Sequence, residues 1–262
     1  MIDLSSGVGI EVKMNDEFRL DFGRGVEYDK FSTRSQLDLL KVVADDSLAL
    51  KDEPAYYMYR NVRAAGDEKK LNDKKLRFDL TVIPAGKLGN EFVKTSGHYH
   101  PKKPGTAYTY PELYYVLSGQ ATYLMQKKST EEQIEDVIIC RVTAGRAIIM
   151  PCDYGHVTIN ELAEPLVMAN WVEATFQSDY SEYEALRGAC YYIMSNFGLL
   201  KVEVNKKYIA PPEPRKLKAK PQVLEAVANE PIYNYFDRGV LDFLTELKDY
   251  YNKITVDKLF SV

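Results

Sequence analysis

The sequence is poor in the residues that most often carry chemistry. Among 262 residues there are three histidines, three cysteines and one tryptophan. Cys140, Cys152 and Cys190 are odd in number and lack metal-finger spacing. They predict reduced thiols rather than a disulfide framework, and Cys152 reads as a small strand-end residue without a role. No apolar run approaches the roughly 20 residues that cross a bilayer as a helix, so no membrane partner is expected. The start, Met1-Ile2-Asp3-Leu4, lacks the basic and apolar regions of a secretory signal, and a cytoplasmic protein is expected. Positive charge is not in excess: 34 Lys and Arg stand against 38 Asp and Glu, a net charge of −4. That balance argues against a general nucleic-acid binder, which needs clustered cations to meet phosphates.

What is present suits a soluble globular chain. Hydrophobic residues make up 45% and charged residues 27%, and the length allows a sizeable core. The 20 tyrosines favour strands and pockets with hydroxyl tips.

The three histidines are His98, His100 and His156, with Glu112 between them in sequence. On an extended Gly97-His98-Tyr99-His100, both imidazoles point to one face, about 6–7 Å apart along the strand. Glu112 opens an alternating apolar run, and His156 precedes Val157-Thr158-Ile159; both stretches read as strands. Three imidazoles and a carboxylate suit a divalent first-row metal such as Fe, Mn, Ni or Zn, and ligand type alone does not choose among them. A His-x-His pair by itself is a weak signal. The gathering of every histidine around one glutamate is a much stronger one.

These motifs carry a resemblance. Gly97-His98-Tyr99-His100, then Pro111-Glu112-Leu113-Tyr114-Tyr115-Val116-Leu117-Ser118-Gly119, then Gly145-Arg146-Ala147-Ile148-Ile149-Met150-Pro151-Cys152-Asp153-Tyr154-Gly155-His156 resembles the two motifs of the cupin superfamily. Thr81-Val82-Ile83-Pro84-Ala85-Gly86-Lys87-Leu88-Gly89-Asn90-Glu91-Phe92, leading through Lys94-Thr95-Ser96-Gly97 into the histidines, is similar to the cupin-type glucose-6-phosphate isomerases. The similar region runs from Tyr56 to Tyr180.

The resemblance implies a mainly β fold: an antiparallel double-stranded β-helix (the cupin jelly-roll barrel) with an N-terminal arm and C-terminal helices. It implies His98, His100, Glu112 and His156 as metal ligands, with Glu112 and Tyr114 as catalytic residues. Thr81, Thr95 and the backbone N–H of Gly97 match positions around a substrate phosphate, where Lys87 or Lys94 would add charge. Tyr56 and Tyr180 match pocket tyrosines. The implied activity is metal-dependent interconversion of glucose 6-phosphate and fructose 6-phosphate, in glycolysis and gluconeogenesis. It would run through a cis-enediol with Glu112 as base, or by a hydride shift with Glu112 as orienter. A homodimer is expected on the same ground. The alternatives are another metal-dependent cupin enzyme, such as a sugar epimerase or dioxygenase, and a non-catalytic sugar-binding cupin. Three departures stand out: the insertion Pro101 to Pro111, which reads as a rim loop over the site; Trp171 where relatives often have Tyr; and Gln177-Ser178 where they have His.

Along the chain, residues 1–50 are expected to form an N-terminal arm of loops and edge strands, with a helix over 32–44 capped by Thr33 or Ser35. Residues 51–200 form the barrel. Period-two alternation predicts strands at 56–62, 76–83, 113–117, 121–125, 136–142, 146–150, 157–160 and 166–171. Ser118-Gly119 predicts a hairpin, and 64–75 a loop. Residues 201–262 read as a Pro- and Lys-rich extended linker over 211–221, then helices at 222–228 and 239–253. The last carries Val240, Phe243, Leu244, Leu247 and Tyr251 on one stripe, to be buried on this barrel or on a second subunit. Glu246, Lys248 and Asp249 mix the charge on its other face, which argues against a DNA-recognition helix.

Overall fold

The computed structural model describes residues 1–130, 132–220 and 229–262. The alternating segments form strands, named here β1 (Lys30–Ser35), β2 (Pro54–Arg60), β3 (Leu76–Ile83), β4 (Glu112–Ser118), β5 (Gln120–Lys128), β6 (Ile134–Thr143), β7 (Ala147–Met150), β8 (Tyr154–Ile159), β9 (Leu166–Glu173), β10 (Arg215–Ala219) and β11 (Phe260–Ser261). They build a six-stranded sheet in the order β7-β4-β9-β3-β2-β1 and a five-stranded sheet in the order β8-β5-β6-β10-β11. β10 runs parallel to β6; the other pairings in the two sheets are antiparallel. From β4 onward the chain passes back and forth between the sheets, the winding of a jelly roll.

The six-stranded sheet is covered on both faces. One face carries Arg77, Thr81, Glu112, Tyr114 and Asn170 toward a cavity. The other carries Phe78 and Trp171, against which Tyr233 and Phe236 of the C-terminal segment pack. Every residue of β9 is therefore buried. A strand with two buried faces loses the apolar-polar alternation of a half-exposed one.

Several sequence expectations are corrected. β4 and β5 do not form a hairpin: each pairs with strands of a different sheet, and Gly119 carries the chain from one to the other. Gly119 has φ +79°, and a Cβ there would meet the carbonyl oxygen of Pro165 at 2.8 Å. Gly119→Ala is expected to destabilise the fold by roughly 1–3 kcal/mol, read as a lowered thermal unfolding midpoint. An unchanged midpoint would remove this account of the crossover.

The helix expected over 32–44 begins later. Residues 30–35 pair with β2, and that ladder outcompetes local helix periodicity. Ser35 closes β1 and caps Gln36–Leu39 in a capping box with Asp38; Leu40–Val42 is a 3-10 turn. The expected loop over 64–75 contains the helix Glu68–Asp73, which buries Leu71. The expected linker over 211–221 contains strand β10, docked on the edge of β6, where Arg215 pairs with Asp136. The helix expected at 222–228 lies outside the described residues. The one at 239–253 is three short turns, Asp242–Thr245, Leu247–Tyr250 and Tyr251–Lys253. Phe243, Leu244 and Leu247 are buried within this chain, so the stripe is covered without a second subunit.

Candidate metal centre and cavity

The centre is assembled by long-range pairing. His98 and His100 do not lie on a continuous strand as the spacing suggests. Their segment is extended, and His98 forms an isolated antiparallel bridge with His156 of β8, each backbone N–H donating to the other's carbonyl at 3.2 and 3.0 Å. Glu112 enters from the first residue of β4.

The ligating atoms converge. His98 Nε2 lies 3.1 Å from His100 Nε2, and Glu112 Oε2 lies 3.4 Å from His100 Nε2 and 3.3 Å from His156 Nε2. All four candidate donor atoms lie within 4.8 Å of one another. Ligands bonded to one ion at about 2.0–2.2 Å sit about 3–3.5 Å apart, so the spacing accommodates a single cation. Glu112 Oε2 is buried and accepts no hydrogen bond. An orphaned carboxylate oxygen among imidazole nitrogens is a cation's coordination shell in outline.

The surrounding hydrogen bonds aim these ligands. His100 Nδ1 is 2.9 Å from the carbonyl oxygen of Tyr110, which makes Nδ1 the protonated nitrogen and leaves the Nε2 lone pair turned inward. Asn170 Nδ2 donates to Glu112 Oε1 at 2.7 Å. Burial opposes ionisation of Glu112, but the His100 and His156 imidazoles outweigh it and hold the carboxyl well below its usual range. Burial, then the neighbouring imidazoles, push His98 well below the ordinary histidine value; burial also lowers His156, against the pull of Glu112. Neutral imidazoles and an ionised carboxylate are the states that ligation requires.

A cavity of about 410 Å³ opens over this cluster. Thr81, Thr95, Gly97, Tyr56, Tyr180 and Tyr114 all line it, so the structure brings every expected substrate-side residue to one place. The Tyr114 hydroxyl is 3.3 Å from His156 Nε2. Thr95 Oγ1 accepts a hydrogen bond from the Thr158 N–H at 3.0 Å, and the Tyr56 hydroxyl lies 3.3 Å from Ser96 Oγ. Gly97 has φ +77°, and an added Cβ would sit 2.4 Å from the ring of Tyr183; only glycine fits there.

Two expected cations are elsewhere. Lys94 pairs with Glu91 and donates to the Val42 carbonyl at 2.6 Å, and Lys87 donates to Ser195 Oγ at 2.7 Å. Neither lines the cavity. The lining holds instead Arg60, Arg77 and Asn170, which the sequence reading missed. The available signal was the strand period: Arg60 shares a face with Tyr56, and Arg77 with Thr81. Trp171 faces away from the cavity, whereas Gln177 and Ser178 line it. The Pro101 to Pro111 loop turns onto the C-terminal segment, with Tyr108 stacked on Tyr251. Cys152 is buried, and burial pushes its thiol up to about 12, an inert state. Cys152→Ser is expected to leave metal content and turnover unchanged; loss of either would give this thiol a role.

The sequence matches the model of the glucose-6-phosphate isomerase (GPI) family over residues 33–210. The chain belongs to that family. Among curated members, the glucose-6-phosphate isomerase of Thermococcus litoralis is 29% identical over 195 residues, covering 72% of this chain and 94% of the relative. The Pyrococcus furiosus enzyme of the same name is 29% identical over 195 residues, with 72% and 95% coverage. Among solved structures, Bacillus subtilis oxalate decarboxylase overlays 49% of this chain and 28% of its own at 18% identity, with a TM-score of 0.34. The metal centre and cavity residues named above all fall inside the span that the family matches.

Proposed function

We propose that this family member is a metal-dependent isomerase interconverting glucose 6-phosphate and fructose 6-phosphate, with His98, His100, Glu112 and His156 as the metal ligands. The observation that carries the reading is the position of Glu112. Among the described residues it is the only carboxylate in the cavity lining, and its Oε2 stands among the imidazoles. An aldose–ketose conversion through an enediol needs one group that takes a proton from one carbon and returns it to the next. Glu112 is the candidate base.

A bound divalent ion would supply Lewis acidity toward the substrate oxygens at C1 and C2. Fe, Mn, Ni and Zn all suit three nitrogens and one carboxylate. The chain's own groups account for the rest. Asn170 orients the Glu112 carboxylate through Oε1. Burial and the Glu112 charge raise the Tyr114 phenol well above its ordinary value, so Tyr114 stays protonated and serves as a hydrogen-bond donor to a substrate oxygen. Thr81, Thr95 and the Gly97 N–H offer neutral donors to the substrate, and Tyr56 and Tyr180 wall the cavity.

The test is conversion of fructose 6-phosphate by chelator-stripped protein refilled separately with Mn, Fe, Ni and Zn. Activity lost with the metal and restored by one of them supports the reading; no activity with any refill refutes it. Running the reaction in deuterium oxide assigns the route. Label entering the transferred carbon position supports Glu112 as base, and complete retention of the substrate hydrogen makes it an orienter of a hydride shift.

A further inference from the structure

His100 is held by a backbone group. Its Nδ1 meets the carbonyl oxygen of Tyr110, at the far end of the inserted loop. The position of that carbonyl sets the orientation of the ring and leaves Nε2 to the metal cluster. The loop is a small hairpin. Lys102 and Thr109 bridge antiparallel, the Lys103 N–H donates to the Tyr108 carbonyl at 2.8 Å, and the Tyr110 N–H donates to that of Pro101 at 3.3 Å. The Thr109 N–H donates to Asp153 Oδ1 at 3.0 Å, and the Asp153 N–H donates to Thr109 Oγ1 at 2.6 Å. These two bonds tie the hairpin to the turn that leads into β8 and His156.

One charge pair anchors the hairpin to the six-stranded sheet. Lys103 bonds to Glu173, the last residue of β9, and their side chains are only 12% and 6% exposed. Both partners lead to Tyr110. Lys103 Nζ lies 4.8 Å from the centre of the Tyr110 ring and 3.4 Å from the Leu244 carbonyl oxygen. The second oxygen of Glu173 accepts from Thr175 Oγ1 at 2.7 Å, and that hydroxyl lies 3.4 Å from the Tyr110 hydroxyl. The Tyr110 ring stacks on Phe176 at 4.3 Å, and Phe176 meets the His100 ring at 4.6 Å, centroid to centroid. A buried ion pair gains little net stability, because desolvation offsets most of the attraction. What this pair does supply is a fixed place for Tyr110. Neither Lys103 nor Glu173 lines the cavity over the metal cluster, so neither is placed to touch a substrate there.

We propose that Lys103 and Glu173 are positioning residues for the metal centre: their ion pair anchors the inserted hairpin so that the Tyr110 carbonyl fixes the His100 imidazole for ligation. The inference rests on the reading of His98, His100, Glu112 and His156 as metal ligands, and it concerns how one of them is held. The inserted loop is then part of the metal centre rather than a rim over it.

The experiment titrates cobalt(II) into the metal-free full chain. Affinity is measured against a competing chelator, and the ligand-field absorption is recorded at saturation. The proteins are the wild type, Lys103→Met, the double variant Lys103→Met/Glu173→Gln, and Gly119→Ala as a destabilised control whose substitution lies outside the hairpin and its anchor. Lys103→Met leaves Glu173 buried without its cation, a cost to folding in itself. The double variant removes both charges at similar volume, so it reads the loss of the anchor where the single variant does not fold. Both are expected to weaken cobalt binding about tenfold or more, the scale of a lost outer-shell partner, and to change the absorption spectrum. Gly119→Ala is expected to lower the unfolding midpoint and to keep the wild-type affinity and spectrum. A double variant with wild-type affinity and spectrum would make the pair purely structural and overturn the proposal, while the metal reading stands. Equal weakening by Gly119→Ala would tie the loss to stability and overturn it as well. A wild type that takes up no cobalt would sink the metal reading, and the proposal with it.

Discussion

Glu112→Ala is expected to lose the metal on dialysis and to lower isomerase turnover by about a thousandfold or more. Losing a positioned base alone costs about 10²–10⁴, and among the described residues Glu112 is the one anionic member of the candidate ligand group. Its removal leaves three imidazoles to meet a dication, with no carboxylate of the group to offset the charge in a largely buried site. It also strands the Asn170 amide, whose donor now ends on Glu112 Oε1. His156→Ala is expected to act the same way, because it removes one of the three imidazole donors, whose Nε2 stands 3.3 Å from Glu112 Oε2. Metal content by elemental analysis and turnover of fructose 6-phosphate check both variants. Full turnover by Glu112→Ala would refute the centre as drawn.

Trp171→Ala is expected to destabilise the fold by about 3–5 kcal/mol, the usual cost of truncating a large buried aromatic. Trp171 is fully buried on the face of β9 that points away from the cavity. Its ring lies 4.7 Å from Phe78 and 5.9 Å from each of Tyr233 and Phe236, centroid to centroid. Its Nε1 donates to the Ile232 carbonyl at 2.9 Å. The truncation therefore opens a cavity, leaves that carbonyl unpaired and loosens the seat of the C-terminal segment. At a few degrees per kcal/mol for a chain of this size, the unfolding midpoint falls by roughly 6–20 °C. Metal binding by the folded fraction is expected to persist, since no ligand touches the indole. A midpoint equal to the wild type would mean that the C-terminal segment is not held in this way.

The candidate metal site was legible because its chemistry is narrow. Few residue types ligate a transition metal, and this chain has only three histidines. The strands were legible for a similar reason: period-two alternation is local and survives without knowing the partner strand. β3, at Leu76–Ile83, has the bounds that the alternation predicts. Strand pairing is not local. The Ser118-Gly119 turn looked like a hairpin because the turn chemistry is the same whether the chain folds back or crosses to another sheet.

The errors in the cavity have one origin. Lys87 and Lys94 sit within the motif region, but a long side chain goes where its partner is. Ser195 and the Val42 carbonyl are far away in sequence, and only Glu91, three residues from Lys94, is near. Arg60 and Arg77 were passed over because Asp79, which positions them, is interpretable only after β2 and β3 are paired. The C-terminal stripe was real, yet its apolar residues are buried by short turns rather than one helix, since packing against the barrel supplies the stability that length would otherwise provide.

By itself, the sequence determined which four residues make up the candidate metal site, the mainly β character and the positions of most strands, all of which follow from residue type and short periods. Only the tertiary structure decided which sheet each strand joins, which of the two buried faces of the central sheet lines the cavity, and which cations look into it. Those outcomes depend on contacts between residues tens of positions apart, where local periodicity carries no information.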